Sequence, residues 1–510
     1  MNYAKKLISL LLALLMVMSM AGAMAEETAS TATVTNGTTG HSYKAYQILS
    51  GTQAEAEGML GDLAWGTGVD VEELLKALIT AEFAQPNDTP VLTTQSTAAD
   101  VAALLNNDNA KEFANIVAKN LSTVFTAIAA EAVEVEIATG YYLLVDDTVV
   151  DGEDDARNSA LLEVVKDITI ESKYTTPEVD KVIDEGDGVK VTDKNVGDTV
   201  DFKLTGTLPS NYADYDTYKY IFHDTMSPGL TYVEGSLKVY VNDSETPVDS
   251  SKYATDVTTA ENGTTTITVT FADLKLVATA DSDKIVVKYQ ATLNDKAEVG
   301  NPGNPNEVYI EYSNDPNYNG DGTDEPTGET PKDTVVVFTY ETVVNKTDAN
   351  KNPLKGAGFT LYKWTEATDT EDAKWVAVGD EIKGEDLTTF TFKGLDAGKY
   401  KLVETTVPAG YNKAADIEFE IVPTYTYNET TKKNEISSLV VKNGETVLSE
   451  GEQASFSVAE NKGSVSTTVI NETGATLPET GGVGTTMLYV GGGALIVIAI
   501  ALLVSKKRKA

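Results

Sequence analysis

From residue 177 onward the chain is a succession of short runs in which apolar and polar side chains alternate with a period of two. Clusters of Gly, Asn, Asp and Pro separate the runs. This rhythm predicts strands with one buried face, assembled as β-sandwiches of the Ig-like kind. Residues 177–331 make one such segment and residues 332–474 a second. In the latter, strands are expected over Val335 to Lys346, Gly358 to Tyr362, Lys399 to Glu404 and Val465 to Asn471. Residues 26–176 are mixed. The runs His41 to Leu49 and Gly140 to Val145 read as strands. Between them Val71, Leu74, Leu75 and Leu78, then Phe113, Ile116, Val117, Leu121, Val124, Phe125 and Ile128, recur at three- and four-residue spacing. That spacing predicts a helical insertion. The fold class expected is mainly β, as tandem sandwich domains with a helical insertion in the first domain.

Both ends depart from this pattern. Lys5 and Lys6 precede the apolar run Leu7 to Met20, and Ala23-Met24-Ala25 follows as a small-x-small site, so residues 1–25 read as a secretory signal peptide. At the other end, Met487 to Val504 is apolar and uncharged and is followed by Ser505-Lys506-Lys507-Arg508-Lys509. That order predicts a transmembrane helix over 487–504 with a basic cytoplasmic tail. Just before it stands Leu477-Pro478-Glu479-Thr480-Gly481. Motif, span and tail in this order resemble the cell-wall sorting signal of Gram-positive surface proteins, here residues 475–510. The resemblance implies that a sortase cleaves between Thr480 and Gly481 and passes the Thr480 carbonyl to an amine, so that membrane retention is transient. A permanent single-pass protein is the other reading of the same span.

Composition narrows the chemistry. The 510 residues hold 78 Asp and Glu against 39 Lys and Arg, a formal charge of −39, with no Cys and two His. Disulfides, thiolate nucleophiles and Cys-based metal sites are excluded. So acidic a surface repels phosphate backbones, which argues against a nucleic-acid partner. His41 and His223 lie far apart in different contexts, which argues against His-centred catalysis, and no cofactor or metal is expected. Asp315, Asn317, Asn319 and Gly320 match the opening of a calcium loop, but Pro326 stands where the bidentate Glu belongs, so the stretch reads as a polar surface loop. The signal and the tail carry only basic residues, so the exported product is more acidic than the whole chain.

Strand parity exposes polar residues on apolar faces. Lys346 shares a face with Val344 and Tyr340, Glu404 with Leu402 and Tyr400, and Asn471 with Val469 and Val465. In the preceding domain Lys181 lies with Val179 and Ile183, Asp224 with Phe222, Tyr220 and Tyr218, and Asn306 with Val308, Ile310 and Tyr312. Each domain thus turns a lysine from its first strand, an acid and a late-strand asparagine toward its core. Burial disfavours both charges, so an uncharged amine beside a protonated acid is expected. Such an amine can attack an Asn carboxamide carbon while the acid moves protons to the departing ammonia, leaving an intramolecular isopeptide bond.

Local strings carry a more specific resemblance. Val344-Asn345-Lys346, Leu354-Lys355-Gly356-Ala357-Gly358-Phe359 and Leu402 to Tyr411 resemble the CnaB-type sandwich of Gram-positive pilins. His223 to Leu230 and Asn306 to Asn314 are similar to the middle, CnaA-like domain of SpaA-type major pilins. The first domain matches only in loose phrases such as His41 to Tyr46 and Trp65 to Val69. The likeness implies bonds Lys181–Asn306 with Asp224 and Lys346–Asn471 with Glu404. It also implies an acceptor lysine late in the first domain. Lys173 occupies that place, although Glu171-Ser172-Lys173-Tyr174 lacks the family's Tyr-Pro-Lys; Lys166 is a rival on an apolar face. A third bond through Lys44 or Lys166 has no clear acid–asparagine pair. The reading is a wall-linked shaft pilin rather than a turnover enzyme. Its implied partners are pilus-type and housekeeping sortases, further copies of itself, peptidoglycan, accessory pilins and a host ligand. A singly anchored adhesin that never polymerises is the rival, and only Lys173 separates the two.

Overall fold

The computed structural model describes residues 31–474, apart from 54–58, 84–90, 131–133, 149–151, 153, 158, 172–174, 187, 317–324, 369–370, 452–454 and 460–462. The signal segment, Lys173, the motif 477–481 and the apolar span 487–504 lie outside the described residues. Among the described residues no helix is long and apolar enough to cross a membrane. The chain divides into two compact units, Met1–Thr339 with Tyr425–Glu435, and Tyr340–Thr424 with Ile436–Ala510.

The first unit begins with the mixed domain. A three-stranded sheet orders Glu134–Ala138, Thr31–Asn36 and Ile168–Ile170, and a second sheet orders Leu60–Trp65, Tyr43–Gln53, Gly140–Asp146 and Ser159–Val164. Three helices lie between them in sequence. Val71–Thr80 starts at Asp70, whose carboxylate accepts from Glu73 N, and Ala98–Ala102 starts in a Thr97–Asp100 capping box. Leu74, Leu75 and Leu78, with Phe113 and Val117 of Ala110–Ala118, bury their side chains in one cluster with Ile48, Leu49 and Leu143. Each such side chain contributes about 1.5–3 kcal/mol on leaving water. The helical spacing expected to run on to Ile128 stops at Ala118. Asn120 turns its amide back onto Ile116 O (2.7 Å), Leu121 bridges Val69, and Thr126–Ile128 is a strand. The Asn120 amide thereby satisfies one of the last carbonyls of the helix, which have no intrahelical donor. Val124 and Phe125, counted in the apolar stripe, are 53% and 42% exposed.

The rest of the unit is a sandwich. One sheet orders Leu230–Tyr232, Ile285–Leu293, Thr199–Gly206 and Val179–Ile183. The facing sheet orders Val191–Asp193, Asp333–Phe338, Asn304–Ser313, Tyr220–Met226, Thr265–Phe271 and Ala254–Thr259. The run Val335 to Lys346, expected as one strand of the last domain, is two. Asp333–Phe338 pairs with Asn304–Ser313 in this sandwich, and Tyr340–Asp348 opens the second unit. The break was hidden because Val335, Val336, Val337 and Phe338 are all fully buried, leaving no alternation to mark the change.

The second unit repeats the two-sheet plan. Thr389–Leu395, Tyr340–Asp348, Ser464–Asn471 and Phe456–Val458 form one sheet. Lys374–Ala377, Gly358–Thr365, Gly398–Thr406, Ile417–Asn428 and Lys433–Asn443 run in order across the other, which ends in Thr446–Val447. First and last strands are parallel neighbours, with Lys346 opposite Val469 and Asp348 opposite Asn471.

Candidate functional site

In the first unit Lys181 projects from the edge strand Val179–Ile183, which pairs with Thr199–Gly206. Asp224 and Asn306 project from neighbouring strands of the opposite sheet. Asn306 faces Met226 in the ladder, so the two side chains sit two positions apart on one face. Alternation drives all three inward, where they are 0%, 1% and 0% exposed. The Lys181 Nζ donates to Asp224 Oδ2 and to the Tyr289 hydroxyl (3.2 Å). The Tyr289 hydroxyl donates to Asp224 Oδ1 (2.7 Å) and accepts from Asn306 Nδ2 (2.6 Å). Asn306 Oδ1 is buried with no partner. The rings of Phe202 and Tyr289 lie 5.4 and 5.6 Å from the amine. Burial pushes the Lys181 amine below its ordinary pKa, against the Asp224 charge, and pushes the Asp224 carboxyl up, against Lys181. Both shifts favour the uncharged pair. Outside this core the Lys181 backbone is clamped at both ends. Its N–H donates to Asp333 Oδ2 (2.6 Å), and its carbonyl accepts from Lys190 Nζ (2.6 Å).

The second unit gathers Lys346, Glu404 and Asn471, each 2% exposed or less. Here lysine and asparagine come from adjacent parallel strands of one sheet, and Glu404 reaches in from the other. Asn471 Nδ2 donates to Glu404 Oε1 (2.8 Å), and Ala414 N donates to Glu404 Oε2 (2.8 Å). Lys346 Nζ donates to the carbonyls of Thr347 (3.0 Å) and Val469 (3.1 Å). Burial lowers its pKa, opposed by Glu404 and Asp348. Asn471 Oδ1, like Asn306 Oδ1, is buried without a partner. The structure therefore brings together both sets of three residues read from parity. Each set pairs an amine held toward its neutral form with a buried amide whose oxygen is unsatisfied, an arrangement suited to acyl transfer.

Other expectations fare differently. Lys166 is exposed in the turn between Ser159–Val164 and Ile168–Ile170, not on an apolar face. Lys44 pairs with Asp147 at 2.7 Å. Asp315 accepts from Arg157 Nη1 (2.6 Å), and among the described residues no group of three or more His, Cys, Asp or Glu is placed to hold a metal. The two histidines serve separate ion pairs, His41 with Asp146 and Asp155, and His223 with Glu311. Tyr289 escaped the sequence reading. Its parity with Val287 and Ala291 already turned it inward, but a tyrosine on an apolar row reads as core.

A Gram-positive pilin backbone subunit 2, Cna-B-like domain matches residues 196–316, a prealbumin-like fold domain matches 341–436, and an LPXTG cell wall anchor motif matches 470–510. The chain is thus a backbone-type pilin of the Gram-positive cell surface, carrying a cell wall anchor. It is 26% identical over 397 residues to the trypsin-resistant surface T6 protein of Streptococcus pyogenes serotype M6, covering 66% of this chain and 70% of that protein. The solved T6 backbone pilin of the same serotype superposes with a TM-score of 0.53 at 18% identity, over 89% of this chain and all of that one, a likeness of fold. The Corynebacterium diphtheriae major pilin SpaA gives a TM-score of 0.43 at 12% identity, over 87% of this chain and 99% of that one.

Proposed function

We propose that this pilin is the shaft subunit of a covalent, sortase-assembled pilus, and that each of its two sandwiches carries a self-formed Lys–Asn isopeptide bond. The observation that carries the isopeptide reading is the buried contact of Lys181, Asp224 and Asn306 around one hydroxyl. In the reaction the neutral Lys181 Nζ attacks Asn306 Cγ. The Nζ–Cγ bond forms, the Cγ–Nδ2 bond breaks, and the proton lost by the amine leaves with the nitrogen as ammonia. Asp224 takes and returns protons and ends unchanged. Lys346, Asn471 and Glu404 follow the same course. Sortase cleaves after Thr480 and joins its carbonyl to Lys173 of the next subunit. The last subunit is passed to peptidoglycan by a housekeeping sortase, and accessory pilins share the fibre. High-molecular-weight ladders on denaturing gels of wall extracts, absent for Lys173→Ala, are the expected result. A single monomer-sized band from the wild type would contradict the shaft role and favour the lone adhesin.

A further inference from the structure

We propose that the Tyr289 hydroxyl is a catalytic proton relay in the condensation of Lys181 with Asn306, passing a proton from Asp224 to the departing amide nitrogen. The proposal rests on the isopeptide reading of this cluster. Asp224 has both oxygens engaged, Oδ2 by Lys181 Nζ and Oδ1 by the Tyr289 hydroxyl. Among the described residues the Asn306 side chain hydrogen-bonds only that same hydroxyl, through the nitrogen that must leave. The hydroxyl therefore stands between the acid and the leaving group.

The second unit supplies an internal comparison. There the acid is Glu404, one methylene longer, and it reaches the leaving nitrogen directly, with Glu404 Oε1 2.8 Å from Asn471 Nδ2. No side-chain hydroxyl intervenes. At the first cluster the shorter Asp224 leaves a gap that Tyr289 fills. The step balances as follows. The amine attacks and gives its proton to Asp224 Oδ2. Attack ends the amide conjugation and frees a lone pair on Nδ2, so the phenol O–H, which donates to Asp224 Oδ1 before the reaction, turns to Nδ2. The phenol proton passes to Nδ2 as the carboxyl proton on Oδ1 passes to the phenol oxygen. The Cγ–Nδ2 bond then breaks and ammonia leaves, with Tyr289 again a neutral phenol and Asp224 again a neutral acid, its proton now on Oδ2.

Tyr289→Phe keeps the ring, which packs 5.3 Å from Phe202 and 6.1 Å from Tyr232. The 26–480 chain is made by cell-free synthesis and sampled over time by intact mass, and peptide mapping assigns each ammonia lost to its site. Condensation at Lys181–Asn306 is expected to slow by about 10²-fold or more, the usual size of a general acid–base contribution. Lys346–Asn471 in the same molecules keeps its wild-type rate, and near-ultraviolet circular dichroism reports native packing. Tyr289→Phe condensing at the wild-type rate overturns the relay and leaves the bond standing. A wild-type chain lacking the cross-linked peptide removes the isopeptide reading itself. Should the phenylalanine variant fail to fold, 3-fluorotyrosine at 289 keeps ring and hydroxyl but makes the hydroxyl more acidic. A relay then changes the rate, and an unchanged rate overturns it.

Discussion

A lysine and a carboxylic acid removed from water together cost several kcal/mol per charge unless they pair or neutralise each other. Lys181 and Asp224 do both. They touch, and burial shifts each toward its uncharged form. Removing one partner strands the other. Asp224→Ala is expected to abolish the ammonia loss at Lys181–Asn306 and, by leaving the buried neutral amine without its acceptor, to destabilise the sandwich by roughly 1–3 kcal/mol beyond the loss of the bond. Thermal unfolding of Asp224→Ala beside Asn306→Ala, which lacks the bond but keeps the pair, separates the two effects. Equal midpoints for the two variants would refute the added cost. This site was legible in sequence because a polar residue on an apolar strand face stands out against its i±2 neighbours, as Lys181 does against Ile183. Tyr289 was not legible, since its ring belongs in a core and only its hydroxyl's partners reveal a role.

Among the elements, strands with one wet face announced themselves and those without did not. Tyr340–Asp348 alternates cleanly, whereas Asp333–Phe338 is covered on both faces and merged with it in the reading. The segment after Ala118 kept a helical spacing, yet the helix ends there, with the Asn120 amide turned back onto Ile116 O. Gly140–Asp146 ends in Asp146, whose carboxylate holds His41 Nδ1 at 2.6 Å, with Asp155 on the other ring nitrogen at 3.1 Å. These contacts raise the His41 pKa, the hydrogen bond to Asp146 first. A folded-state pKa above the unfolded value near 6.5 means that the stabilisation is full below that value and lost as pH rises through the folded pKa. The first domain is thus expected to unfold at a lower temperature at pH 8.5 than at pH 6, and His41→Gln should flatten that difference. A pH difference unaltered by the substitution would rule out His41 as its source.

For the whole molecule, the absence of cysteine and the excess of acid acquire a positive sense. The proposed bonds would clamp the sandwiches without an oxidant. Lys181–Asn306 would tie one sheet to the other, and Lys346–Asn471 would tie the first strand of its domain to its parallel neighbour, the last. By analogy with disulfides closing long loops, each would contribute roughly 2–5 kcal/mol. Reductants should leave thermal unfolding of the mature chain unchanged. The acidic surface keeps neighbouring fibres apart and soluble. The central claim is that two buried clusters condense on folding, and the most direct measurement is the intact mass of purified 26–480 protein. Each bond expels one ammonia, so the mass is predicted to fall about 34 Da below that of the sequence, with about 17 Da per site. Tandem spectra should then show Lys181 joined to Asn306 and Lys346 joined to Asn471. A mass equal to that of the unmodified sequence would contradict the account.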